Sequence, residues 1–176
     1  MFEEIKLLGP AERSIVVQTR TGTAIKNVVE PEPGLQQQRH YQLLLEKYGQ
    51  RWQPRKPATG GYNCAGHVWT SRRTGLFDPK DWRIILKEDG YRQLPQQERP
   101  LPGDLVLYVD QGNEEILHVG ELLELRPGVA PQSESIPWVL SKFNATSGEV
   151  MHYVGDVSFW ESQGFLVRIE YWTDRP

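Results

Sequence analysis

The apolar pattern changes once along the chain, and this change most constrains the fold. From Pro102 onward, short runs rich in β-branched and aromatic residues alternate with clusters of Gly, Pro, Asn and Ser. That alternation is typical of antiparallel strands and their turns. We therefore predict a sheet of about five strands, over DLVLYVD (104–110), EILHVGELLEL (115–125), PWVLSKF (137–143), EVMHYVG (149–155) and GFLVRIEYW (164–172).

The segment before this point has helical spacing instead. Apolar residues recur every three or four positions from Leu35, and Gly49 marks a stop. Asn63 is a typical N-cap for a helix of about ten residues that begins at Cys64. A further helix is predicted over 78–90, with Asp78 as its cap and a core face of Trp82, Ile85 and Leu86. Helices followed by antiparallel strands predict an α+β fold.

The length of the chain and a cluster of Pro and Gly residues near its start predict one compact domain preceded by an arm. A chain of 176 residues is long enough for one domain with its own core. Two short strand-type runs, SIVVQTR (14–20) and GTAIKNVVE (22–30), end at the breaker cluster PEPG. We expect residues 1–34 to form an arm or hairpin and residues 35–176 to form the compact domain.

The charge and the apolar content of the chain indicate which classes of partner and which cellular compartment to expect. The formal net charge is −3, with both signs scattered along the chain, so no positive field would attract nucleic acid. No apolar run approaches the roughly 20 residues of a membrane span, and the N-terminus is acidic rather than signal-like. We expect a cytoplasmic protein, with export by a non-classical route left open.

The chain has one cysteine, in GGYNCAGHVW at 60–69. One cysteine cannot form an internal disulfide and makes a structural zinc site improbable, so we expect no metal and no cofactor. At the start of a helix, free backbone N–H groups and the positive dipole end stabilise a thiolate. The same N–H groups stabilise the oxyanion that forms when a thiolate attacks a carbonyl. Cys64 is therefore a candidate nucleophile.

A nucleophilic thiol also needs a base, and His118 is the best candidate. It lies in a predicted strand, where alternation puts Ile116, His118 and Gly120 on one face. A histidine on a strand that faces a helix start can take the proton from the thiol and return it to the leaving group. His67, one helical turn after Cys64, is expected to line the pocket.

Three motifs occur in a fixed order over about residues 58–155: YNCAGHVW, then LPGDLVLYVD, then ILHVGELLEL. This order resembles the NlpC-like branch of papain-like cysteine peptidases, which includes the CHAP amidases. The resemblance implies a papain-like fold, with N-terminal helices packed on an antiparallel sheet. It also implies Cys64 as nucleophile, His118 as base and Tyr62 as an oxyanion or substrate-positioning residue. We place Asn63 and His67, which are near Cys64 at the same helix start, in the same candidate substrate-binding and oxyanion set.

Two features depart from this family pattern. The third catalytic position falls on Ser141 where the family has His, Asn or Gln, and Lys142, Asn144 and His152 are rival candidates for it. The Asp-Cys-Ser signature of the family is replaced by Asn63-Cys64-Ala65. A base without its orienting partner holds its tautomer less firmly.

Three functions follow from this resemblance. The first is thiol-dependent cleavage of an amide bond through an acyl-enzyme, with peptidoglycan stem peptides as the substrate that the family implies. The second is a catalytically inactive papain-like domain that binds a peptide or protein. The third is acyl transfer involving a lipid or a thiol, as in the circularly permuted lecithin:retinol acyltransferase-like proteins. In those proteins the His strand precedes the Cys, so the order in this chain favours the unpermuted family.

Overall fold

The computed structural model of the chain describes residues 15–128 and 135–176, and it is α+β. Its main sheet has seven strands in the order β3-β8-β7-β6-β5-β9-β4, with antiparallel neighbours. These strands are β3 (Trp52–Lys56), β4 (Arg92–Gln93), β5 (Leu105–Asp110), β6 (Ile116–Arg126), β7 (Ile136–Ser141), β8 (Glu149–Tyr153) and β9 (Val167–Thr173).

The predicted count of about five strands was too low, because β3 and β4 lack a readable strand pattern. The strand β3 reads WQPRK, in which Pro54 and two cations interrupt the alternation. It lies at an edge of the sheet, where proline is tolerated. The strand β4 has two residues, too few to show any periodicity.

Four helices are described: α1 (Leu35–Tyr48), α2 (Cys64–Trp69), α3 (Pro79–Glu88) and α4 (Ser158–Glu161). The predicted caps of α2 and α3 are confirmed, since Asn63 and Asp78 each accept a hydrogen bond from the first turn. However, α2 has six residues rather than about ten. It ends early because Ser71 and Arg72 adopt φ values of 51° and 68°, in the left-handed region that no helix continues through.

Two apolar clusters lie on the two faces of the sheet, because strand residues alternate between faces. The cluster on one face, here called the α2 cluster, contains Cys64, Ala65, Trp82, Ile85, Leu86, Leu105, Leu107, Val109, Ile116 and Val119. The cluster on the other face, here called the aromatic cluster, contains Tyr41, Tyr48, Trp52, Val106, Tyr108, Val139, Phe143 and Trp160. The predicted core face of α3 is confirmed by this arrangement.

A two-stranded hairpin, β1 (Val17–Gln18) and β2 (Ala24–Ile25), precedes α1. It is fixed to α3 through the Glu88 carboxylate, which accepts a hydrogen bond of 2.6 Å from the Thr19 hydroxyl. Residues 1–14 of the predicted arm lie outside the described residues. Within the described ranges, no helix combines the length and the apolar character needed to cross a membrane.

Candidate active site

Cys64 is the first residue of α2, and the Asn63 side chain fixes its position. The Asn63 Oδ1 accepts hydrogen bonds from the backbone N–H groups of Gly66 at 2.9 Å and Leu76 at 3.0 Å. The Cys64 side chain is directed into the α2 cluster, and the residue is 8% exposed. Burial raises the pKa of the thiol to about 11, although backbone N–H groups of Val119 and Ala65 act in the opposite direction. Near neutral pH, Cys64 is therefore a thiol rather than a thiolate.

His118 lies within the aromatic cluster on the other face of the sheet. It pairs with Tyr108 across β5 and β6, and its ring is stacked on Phe143 at a centroid distance of 5.4 Å. The Trp160 ring lies 5.2 Å away on another side. The residue is 1% exposed, and burial lowers its pKa well below the ordinary value. Its Nε2 has no hydrogen-bond partner among the described residues.

The sheet separates the Cys64 thiol from the His118 imidazole. Val119 belongs to the same cluster as Cys64, and consecutive strand residues point to opposite faces, so His118 points away from the thiol. The predicted alternation was wrong at Ile116, which also lies on the Cys64 face. A β-bulge between the pairs Tyr108–His118 and Val109–Ile116 leaves Leu117 as an extra residue and reverses the order of the faces.

Ser141, predicted for the third catalytic position, is bonded to His152 instead of His118. The Ser141 Oγ lies 2.9 Å from the His152 Nε2, and both residues are fully buried. The second ring nitrogen lies 2.9 Å from the Tyr153 carbonyl oxygen. Because a carbonyl only accepts, Nδ1 carries the proton and Ser141 donates to Nε2. Burial lowers the pKa of His152 to about 4, so it is neutral near pH 7.

Asn144 and Lys142, which were also candidates for the third catalytic position, have partners away from His118. The Asn144 Oδ1 accepts a hydrogen bond of 3.0 Å from the Thr146 backbone N–H, as in an Asx turn. The Lys142 ammonium group is surrounded by backbone carbonyl oxygens. None of the four predicted candidates therefore orients the His118 ring.

A buried carboxylate that the sequence analysis missed organises the polar groups on the Cys64 face. Glu149 is 1% exposed and accepts hydrogen bonds from the Tyr62 hydroxyl at 2.6 Å and the Arg72 Nε at 2.5 Å. Burial alone would raise the pKa of Glu149, but its contacts with His67, Arg72 and Tyr62 lower it well below the usual range. Tyr62 is thus a hydrogen-bond donor to Glu149. Burial and the nearby carboxylate together raise the pKa of the Tyr62 hydroxyl.

His67 lies on the Cys64 face, beside two carboxylates. Its Nδ1 is 3.4 Å from a Glu149 oxygen, and its Nε2 is 3.9 Å from a Glu121 oxygen. Neither nitrogen has hydrogen-bond geometry to any described group, the Cys64 sulfur included. The described residues therefore provide no base in hydrogen-bond contact with the thiol.

No described set of three or more His, Cys, Asp or Glu side chains has an arrangement that could hold a metal ion.

Comparison of the chain with models of protein families, with curated proteins and with solved structures finds no match.

Proposed function

We propose that the chain is a catalytically inactive domain of papain-like type that binds a peptide or protein. The proposal depends on the opposite orientations of Cys64 and His118 about β6. A Cys–His hydrolase needs the imidazole within hydrogen-bond reach of the sulfur, so that the proton can move to the base. Here the thiol has a raised pKa and the imidazole is surrounded by aromatic rings.

A groove of about 750 Å³ gives the binding proposal a location. It lies between the segment 96–100 and the ends of β6 and β7. Polar side chains and two tyrosines line it, and the full set is Gln96, Gln97, Glu98, Arg99, Pro100, Leu125, Ser135, Ile136, Pro137, Tyr153, Val154 and Tyr171. Tyr153 is 45% exposed, so its ring is accessible to a ligand in the groove. Grooves lined by aromatic residues bind extended proline-containing peptides, whose preformed conformation lowers the entropy cost of binding. We assign such a peptide as the ligand.

The experiment is selection from a displayed library of extended peptides, followed by titration of the selected sequences. We expect affinities in the micromolar range and about tenfold weaker binding to Tyr153→Ser, since an aromatic anchor contributes more than about 1 kcal/mol. Leu166→Ser is the matched control, because Leu166 is also exposed but does not line the groove. Failure to select any peptide, or equal loss of affinity in both variants, would refute the proposal.

Amide hydrolysis is the second candidate, and one observation favours it. Cys64 begins a helix, and the N–H groups of Ala65 and Val119 that lower its pKa are suitable donors for an oxyanion. This candidate predicts turnover of activated esters and peptide amides that Cys64→Ala abolishes. The binding proposal predicts no turnover above that of Cys64→Ala and unchanged peptide affinity in this variant, so the two candidates give opposite results with the same pair of proteins.

A further inference from the structure

The ammonium group of Lys142 lies within a shell of four backbone carbonyl oxygens. The Nζ atom is 2.9 Å from the oxygen of Thr59, 3.2 Å from Asn144, 2.9 Å from Ala145 and 2.6 Å from Ser147. Lys142 is completely buried, although it begins the turn between β7 and β8. An ammonium group has three N–H donors, so four oxygens exceed what its hydrogen bonds alone require.

The Lys142 ammonium has no carboxylate partner at ion-pair distance among the described residues. Burial lowers the pKa of Lys142 to about 8, while nearby acidic groups act in the opposite direction. The group is therefore mainly cationic at neutral pH. The groups in direct contact with the ammonium are carbonyl dipoles, as for potassium ions in carbonyl-lined filters, and the acidic groups act on it from beyond ion-pair distance.

The shell is built by its own turn and not only by the lysine. The Ser147 hydroxyl donates to the Asn144 carbonyl at 3.1 Å, and the Ser147 backbone N–H donates to the same oxygen at 3.3 Å. The Thr59 backbone N–H donates to the Ser147 carbonyl at 3.3 Å, which joins the turn to the loop that leads into α2. A side chain at Gly148 would collide with the Lys56 carbonyl at 2.1 Å, so this close approach requires glycine.

We propose that the carbonyl groups of Thr59, Asn144, Ala145 and Ser147 form a binding site for a monovalent cation of the ammonium or potassium class, which the Lys142 side chain fills. Removing that side chain while the turn persists opens the site to free ammonium or potassium ions. Lys142 thereby acts as a tethered cation that holds the loop before Cys64 against the turn between β7 and β8. This inference is independent of the proposed peptide-binding function.

The test compares Lys142→Ala and Lys142→Met with the wild-type chain in chloride salts of ammonium, potassium, sodium and choline at equal ionic strength. In choline chloride, both variants should melt about 10 °C lower, because buried carbonyl groups lose their partner. Ammonium or potassium at about 200 mM should raise the melting temperature of Lys142→Ala by about 5 °C if its Kd is about 10 mM. The apolar side chain of Lys142→Met fills the space, so the melting temperature of this variant should not rise in ammonium or potassium chloride.

The outcomes separate the proposal from a merely structural lysine. Equal melting of Lys142→Ala in all four salts, or an equal ammonium response in both variants, would overturn it. If Lys142→Ala does not fold in choline chloride, a higher refolding yield in ammonium chloride supports the proposal and an equal yield refutes it. In the wild-type chain, NMR should detect the Lys142 NH₃⁺ protons as slowly exchanging signals, and rapid exchange at low temperature would contradict the closed shell.

Discussion

Replacing Glu149 by alanine tests whether the buried carboxylate holds the Cys64 face together. The change removes the acceptor of the Tyr62 hydroxyl at 2.6 Å and of the Arg72 Nε. An orphaned buried hydroxyl costs about 1–3 kcal/mol, and removing one partner of a buried ion pair costs about 3–5 kcal/mol. The Arg72 side chain is 33% exposed and can return to water, which favours the lower end. We expect a loss of about 3 kcal/mol and a melting temperature about 10 °C lower.

The assay is urea unfolding followed by tryptophan fluorescence, with equal m-values as the condition for comparing free energies. Glu149→Gln keeps an acceptor oxygen for Tyr62 but loses the charge, so it should cost less than Glu149→Ala. Combining Glu149→Gln with Arg72→Met should give a coupling energy above about 1 kcal/mol. Glu124→Gln is the control, because its side chain is 44% exposed and an exposed pair such as the one with Arg126 contributes about 0–1 kcal/mol.

The pH dependence provides a second arm of the same test. The pKa of Glu149 is lower in the folded chain than its ordinary value of 4.5. As the pH falls below 4.5, the unfolded chain takes up a proton before the folded one, so this contribution to stability is present above that pH and is lost below it. Glu149→Gln should flatten this acid-side decline. A destabilisation by Glu149→Ala of less than about 1 kcal/mol, or an acid-side decline unchanged in Glu149→Gln, would refute the reasoning.

Two further predictions concern the other face of the sheet. The pKa of His152 is lowered to about 4 in the folded chain, so the unfolded chain takes up a proton first as the pH falls. The free energy of unfolding should therefore decrease by roughly 3 kcal/mol between pH 6.5 and 4. Thermal melts at several pH values should show a smaller decrease for His152→Gln than for the wild-type chain. A Cβ at Gly120 would lie 2.5 Å from Val139 and 2.7 Å from the Ser141 Oγ, so Gly120→Ala should cost about 1–3 kcal/mol in urea unfolding, whereas the exposed Gly112→Ala should cost less.

The sequence was informative where one local rule determines the structure. Helix α1 follows the apolar spacing of Tyr41, Leu44 and Tyr48, and all three side chains are buried. The observed bounds of β5 lie within one residue of the predicted ones. Its first five residues, Leu105–Val109, are apolar, which is typical of a central strand buried on both faces. The Asn63 and Asp78 caps were readable because capping is a local hydrogen bond.

The candidate site was less predictable, because its geometry depends on distant parts of the chain. The bulge at Leu117 places Ile116 and His118 on opposite faces. The adjacent apolar residues Ile116 and Leu117 interrupt the alternation there, but such a pair is equally typical of a regular strand that is buried on both faces. Glu149 resembles any other acidic residue in the sequence, and its partner Arg72 lies 77 positions earlier, with its backbone in the left-handed region. The resemblance in motif order therefore pointed to the Cys64 helix and the His118 strand without determining which face each side chain uses.

The most direct measurement is the rate of Cys64 alkylation by iodoacetamide as a function of pH, in the wild-type chain and in His118→Asn. With the sulfur and the imidazole separated by the sheet, the rate should rise only at alkaline pH, towards the thiol pKa of about 11, and the two profiles should coincide. A rapid reaction with an inflection below about pH 7 that disappears in His118→Asn would contradict the account, because it would require a thiolate–imidazolium pair.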